Sequence, residues 1–188
     1  MFCLKNRRNS IEQRESVHII ENMEARRVEL KFFIEDEDIL RSGYYHDYFF
    51  EEIKIFAKTV KYEKILLFQS ALHGKFLLTL GDAMVEILKT GKVQQVKSIG
   101  EPYIYEISVQ SDTEEIIIKT FLKEEMMQKY TYPKEDFIKA LVNESKHYLN
   151  TIKKINPRIV LEDQYQLLSS CYVYFDNSSI FEFNSSIL

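Results

Sequence analysis

Between residues 134 and 155 the apolar side chains recur at the spacing of an amphipathic α-helix. Acidic residues lie in the first turn, basic residues lie in the last turn, and Pro157 follows, as expected for the two ends of a helix. The apolar ridge consists of Phe137, Leu141, Tyr148, Ile152 and Ile155. A helix of this kind must cover a second apolar layer.

Strand patterns precede this helix. Residues 26–34 alternate between apolar and polar, as a half-buried strand does. Residues 51–60 fit a strand better than the competing helix, and residues 103–110 and 115–121 predict a hairpin around a turn at 111–113. The aromatic and β-branched residues of its first arm are typical of a sheet.

Four glycines predict the structure between these strands. Gly74, Gly81, Gly91 and Gly100 recur at about the spacing of strands joined by tight turns. We therefore expect strands at 76–80, 83–88 and 93–99. The alternative is a short helix over residues 82–90 that ends at Gly91, because its side chains have acceptable helix propensity.

These elements predict an α+β domain. A curved antiparallel meander of about six to eight strands would pack against the long C-terminal helix at 134–155. The chain has 188 residues, which suits one domain. We expect a loose N-terminal extension at 1–22, because its apolar stripe is weak, a domain at 23–171 and a Ser- and Asn-rich tail at 172–188. We also expect a second, shorter helical stretch over residues 159–171.

Composition argues against several classes of protein. The formal net charge of −4 argues against broad electrostatic binding of nucleic acid or of anionic membranes. The apolar runs are too short to span a bilayer, and no pattern of an export signal follows the basic residues near the N-terminus. Cys3 and Cys171 lie far apart, which indicates free thiols. We therefore expect a cytoplasmic protein.

The candidate chemical motifs are weak. His46-Asp47 could contribute to a metal site, but such a site needs further ligands that the sequence does not place nearby. The four consecutive acids Glu35 to Asp38 are more typical of a solvated turn that caps a helix than of a cation site. Glycine-rich nucleotide motifs and nucleophile motifs are absent from the sequence. We expect no metal and no cofactor.

Aromatic content is the remaining feature, with 12 Tyr and 13 Phe. Exposed tyrosines beside acids suit an interface with a basic protein. The predicted binding residues are Glu35, Asp36, Tyr44, Tyr45, His46, Asp47 and Tyr48.

The sequence therefore predicts a non-catalytic, partner-binding protein, more an inhibitor or immunity-type protein than an enzyme. The small, acidic and motif-poor profile is similar to that of immunity proteins that neutralise toxins. One alternative is a carrier whose cavity between sheet and helix holds an apolar small molecule, lined by Tyr105, Ile107, Leu141 and Tyr148. The other is an enzyme without a recognisable motif.

Overall fold

The computed structural model describes residues 28–58 and 64–177. The strands in this part of the chain are β1 (Glu29–Ile34), β2 (Ile53–Lys58), β3 (Ile65–Ser70), β4 (Gln94–Lys97), β5 (Tyr103–Gln110), β6 (Glu115–Leu122) and β7 (Glu125–Pro133). The α-helices are α1 (His73–Thr90), α2 (Lys134–Ile155) and α3 (Asp163–Asn177). Short 3₁₀ helices cover Asp38–Arg41, Tyr45–Phe50 and Pro157–Leu161.

The strands form two antiparallel sheets, one in the order β1-β2-β3 and one in the order β4-β5-β6-β7. The α+β class is therefore confirmed, but a single curved sheet of six to eight strands is not, because the strands divide into one sheet of three and one of four. The end of β3 nevertheless meets the segment that follows β4. The Ala71 amide donates to the Ile99 carbonyl at 2.8 Å, and the Ser98 hydroxyl donates to the Gln69 carbonyl at 2.7 Å.

The alternating patterns are confirmed in β1 and β2. Ile53, Ile55 and Ala57 are buried on one face of β2, as a strand there requires. The predicted hairpin is also confirmed, since β5 pairs with β6 along its whole length. The sequence interpretation missed β7. The first half of this strand is exposed, and its residues do not alternate between apolar and polar.

The strands predicted at 76–80 and 83–88 are wrong. The segment is the single helix α1, which ends at Gly91 with φ of 68° as the competing interpretation proposed. Gly74 and Gly81 are not turn residues, because both are buried inside this helix. Only the segment after Gly91 forms the expected strand, as β4.

Helix α2 occupies the predicted residues, but it is not the C-terminal helix, because α3 follows it. It contacts β1 of one sheet and both β6 and β7 of the other. Its Glu144 carboxylate, nearly buried, accepts hydrogen bonds of 3.0 Å from the Phe32 amide and the Lys31 ammonium. β1 is an edge strand that pairs with β2 on one side only. The Glu144 contact covers part of its other, unpaired edge.

The three-part domain division remains a prediction. Residues 1–22, which include Cys3, and residues 178–188 of the predicted tail lie outside the described residues. The predicted tail begins at residue 172, but α3 continues to Asn177 and Tyr172 is buried. Within residues 28–58 and 64–177, no helix is both long and apolar enough to cross a membrane.

Candidate functional site

The acidic run lies at the surface after β1. Glu35 and Asp36 are exposed, and the Asp36 carboxylate accepts a hydrogen bond from the Asp38 amide at 3.0 Å. The N-cap residue of the Asp38–Arg41 3₁₀ helix is Glu37, whose side chain makes no capping bond. Glu51 lies within the electrostatic reach of this run. Partial desolvation, followed by the negative charges of Asp36, Glu35 and Asp47, raises the pKa of the Glu51 carboxyl. The fold thus brings acids from two segments into one negative surface.

The three predicted tyrosines have different environments. Tyr44 precedes the Tyr45–Phe50 3₁₀ helix and is 74% exposed, whereas Tyr45 is half-buried and its ring lies 4.0 Å from the His46 ring between centroids. Tyr48 is 1% exposed, so its proposed place on the binding surface is wrong. The tight 3₁₀ helix turns Tyr48 and Phe49 into the core and leaves Phe50 outside, at 54% exposure.

His46 pairs with a residue that the sequence interpretation did not consider. Its Nδ1 atom lies 2.6 Å from the Glu162 Oε1 atom, so this contact joins the 3₁₀ helix to the turn before α3. A groove of about 260 Å³ lies between the two segments. Its apolar rim includes Phe50 and Leu161, and Leu161 is 70% exposed.

We call the following residues the acidic–aromatic surface: the exposed residues Glu35, Asp36, Tyr44, Asp47, Phe50 and Leu161, and the half-buried Glu51. Phe50, Glu51 and Leu161 were not predicted. Local sequence patterns could assign neither Phe50 nor Leu161 to this surface, because tertiary contacts decide which residues of the 3₁₀ helix face the solvent and place Leu161 beside them. His46 and Asp47 lie on one short helix, and among the described residues no three His, Cys, Asp or Glu side chains are arranged to hold a metal ion.

Tyr48 belongs instead to a buried polar chain. The Glu51 carbonyl can only accept, so the His73 Nδ1 atom, 3.0 Å away, carries the ring proton. The His73 Nε2 atom then accepts from the Tyr148 hydroxyl at 2.8 Å, and that hydroxyl bonds in turn with Tyr48. Burial lowers the pKa of His73 to about 4 and raises the pKa of both tyrosines, which keeps the chain neutral.

The residues predicted to line a carrier cavity do not line one common groove. Ile107 and Leu141 lie in the buried core cluster. Tyr105 borders a groove with Leu66 and Thr120, whereas Tyr148 borders another with Glu37 and Glu144.

Comparisons with protein-family models, with curated proteins and with solved structures give no match.

Proposed function

We propose that this protein is a cytoplasmic, non-catalytic binding protein of the inhibitor or immunity type, which binds a basic protein partner through the acidic–aromatic surface. The observation that carries the proposal is the groove beside His46, where Phe50 and Leu161 are 54% and 70% exposed. Exposed apolar groups gathered at one groove favour contact with another molecule.

Charge supports a basic partner. Desolvation and, after it, the negative charges of Asp36, Glu35 and Asp47 raise the pKa of the Glu51 carboxyl, so these acids lie close enough to repel one another. A cationic partner would relieve this repulsion on binding and would be attracted from a distance. Phe50 and Leu161 would supply the desolvated centre of the interface, where most of the binding free energy of a complex concentrates.

The His46–Glu162 contact supports a preformed surface. It holds the 3₁₀ helix against the turn before α3 at 2.6 Å, so the two sides of the groove are connected before a partner arrives. Such preorganisation lowers the entropy that binding must remove from the surface.

The test is to cross-link the protein in cell extract, identify the partner by mass spectrometry and measure binding kinetics with purified components. We expect charge reversal at Glu35 and Asp36 to slow association about tenfold at low salt and to flatten the salt dependence. Phe50→Ala with Leu161→Ala should instead speed dissociation by at least fivefold, a loss of about 1 kcal/mol or more.

Matched controls separate the surface from general effects. Val93 is 53% exposed on a different segment, so Val93→Ala controls for loss of an exposed apolar side chain. Asp112→Lys, in the β5–β6 turn, controls for charge reversal. If the control variants weaken binding as much as the test variants, or if neither test variant changes the kinetics, the partner does not use this surface.

A further inference from the structure

The groove beside His46 combines apolar walls with negative charge. Its volume is about 260 Å³. Phe50 and Leu161 form exposed apolar sides, and the side chains of Glu162 and Asp163 line the same groove. No lysine or arginine side chain lines it in the part of the chain that the structure describes. A ligand that carries a positive charge on an apolar stem therefore matches both parts of the lining.

The two carboxylates of the groove can accept further hydrogen bonds. The Glu162 side chain is 23% exposed, and its Oε1 atom contacts the His46 Nδ1 atom at 2.6 Å. Its Oε2 atom has no hydrogen-bond partner among the described residues. Asp163 is the exposed first residue of α3 and forms no ion pair with another described side chain. Both side chains contact solvent, so a ligand in the groove can reach them.

A guanidinium group fits this lining better than an ammonium group does. Its planar fork presents five N–H donors, which can serve two neighbouring carboxylates, and its flat face stacks on an aromatic ring such as that of Phe50. Guanidinium is also hydrated more weakly than ammonium, so it loses less hydration free energy in a half-enclosed groove. The arginine side chain is little larger than benzene, for which a cavity of about 150 Å³ suffices, so the groove has room for it.

We propose that the groove beside His46 receives an arginine side chain of the basic partner. The guanidinium group binds the carboxylates of Glu162 and Asp163 and stacks on Phe50, while the apolar stem contacts Leu161. This inference rests on the function proposed above and names the side chain that enters the groove. The acids that follow β1 attract the partner from a distance, whereas the two acids of the groove select its side chain.

The probes for the full chain are N-acetyl-arginine amide, N-acetyl-citrulline amide and N-acetyl-lysine amide. Citrulline replaces the guanidinium group with a urea group of nearly the same shape and has no charge. We expect the arginine probe at millimolar concentration to shift the NMR signals of the His46 and Phe50 rings and of the Leu161 methyl groups. Its affinity should be at least about fivefold higher than that of either other probe.

Variants of the groove locate the binding. Glu162→Gln removes the charge and keeps an oxygen for the His46 contact, so affinity for the arginine probe should fall about fivefold while affinity for the citrulline probe stays the same. Phe50→Ala should lower affinity for the arginine probe about threefold. The matched control is Glu106→Gln, because the Glu106 side chain is 21% exposed and pairs with Lys119 at 2.7 Å on another surface. This control should bind the arginine probe as the wild type does.

The inference is overturned if the arginine probe shifts none of these signals, if the citrulline or lysine probe binds as tightly, or if Glu162→Gln binds the arginine probe as tightly as wild type. An equal loss of affinity in Glu106→Gln would also overturn it. These measurements need no partner, so they can fail while the partner still binds through the acidic–aromatic surface. Partner binding that does not depend on that surface, with binding of the arginine probe retained, would instead contradict the proposed function alone.

Discussion

At the scale of single residues, the neutral state of His73 determines how the core responds to acid. The ring lies between the Glu51 carbonyl, which requires a proton on Nδ1, and the Tyr148 hydroxyl, which donates to the Nε2 atom of the neutral ring. A second proton on Nε2 would reverse the direction of the hydrogen bond to the Tyr148 hydroxyl and put a charge in the apolar core. The contact between His73 of α1 and Tyr148 of α2 is therefore strongest while the ring stays uncharged.

We expect acid to reduce the free energy of unfolding through His73. Burial lowers its pKa from 6.5 to about 4, so between these values the unfolded chain binds a proton that the folded chain does not. The contribution is complete above about pH 6.5 and decreases as the pH falls, by roughly 2–3 kcal/mol at about pH 4.5. Urea unfolding at neutral and acidic pH, in wild type and in His73→Gln, measures it.

Carboxyl groups also titrate in this pH range, but they do so in both proteins. The difference between the wild type and His73→Gln in free energy of unfolding therefore reports on His73. An NMR titration of the His73 ring in the wild type gives an independent measurement that does not require the variant to fold. A ring that titrates near its ordinary pKa, or an equal acid-induced loss in both proteins, would contradict the burial that the structure shows.

At the scale of elements, α1 packs against α3 through two glycines spaced by about two helical turns. A Cβ atom added to Gly74 would lie 1.8 Å from the Gln164 Oε1 atom, and one added to Gly81 would lie 2.6 Å from the Cys171 Sγ atom. The two α1 residues are seven positions apart, and so are the two α3 residues, which is nearly two full helical turns. The pairs also follow the same order along both helices. The two helices therefore run side by side in the same direction.

This packing explains why the glycine spacing predicted strands. An interval of seven fits both the distance between tight turns and two turns of a helix, and only the partner helix distinguishes them. Helix α2 could be predicted because its apolar residues recur at the helical period, and because acidic residues in its first turn and basic residues in its last turn also favour a helix. The burial of Tyr48 could not be predicted, because tertiary contacts decide whether an aromatic residue in a 3₁₀ turn faces the core or the solvent.

We expect Gly81→Ala to lower the free energy of unfolding by about 1–2 kcal/mol, although alanine favours a helix more than glycine. The new methyl group would meet the Cys171 thiol, so Cys171→Ala should make room for it. In a double-mutant cycle the coupling between the two changes should be about 1 kcal/mol in favour of the double variant. Urea unfolding of the four proteins measures the coupling.

Gly43→Ala is the control for the loss of a glycine, since a Cβ atom there would have no neighbour within 4 Å among the described residues. It should leave the free energy of unfolding nearly unchanged. Additive effects in the cycle would mean that the contact between Gly81 and Cys171 does not determine the spacing of α1 and α3.

At the scale of the whole molecule, the two sheets are joined by side chains that replace strand pairing. The Ser70 hydroxyl accepts from the Ile99 amide at 2.8 Å, and the Tyr105 hydroxyl bonds to both the amide and the carbonyl of Gln69. The partners are separated by 29 and 36 residues along the chain. Local patterns carry no information about such contacts, so the sequence could predict the α+β class but not the division into two sheets.

The Tyr105 contact gives a test of this junction. Tyr105→Phe keeps the ring, which packs 4.9 Å from the Phe68 ring between centroids, and removes only the hydroxyl. The Gln69 amide and carbonyl would then lose the partner that joins them to β5, so we expect the free energy of unfolding to fall by about 1–3 kcal/mol. Native-state hydrogen exchange should show faster exchange of the Gln69 amide than this global loss alone explains, because the edge of β3 would open locally.

Tyr103→Phe, two residues away on the same face of β5, is the matched control and should leave the protection of that amide unchanged. If Gln69 stays equally protected in Tyr105→Phe, backbone contacts such as Ala71 with Ile99 hold the sheets together without the tyrosine.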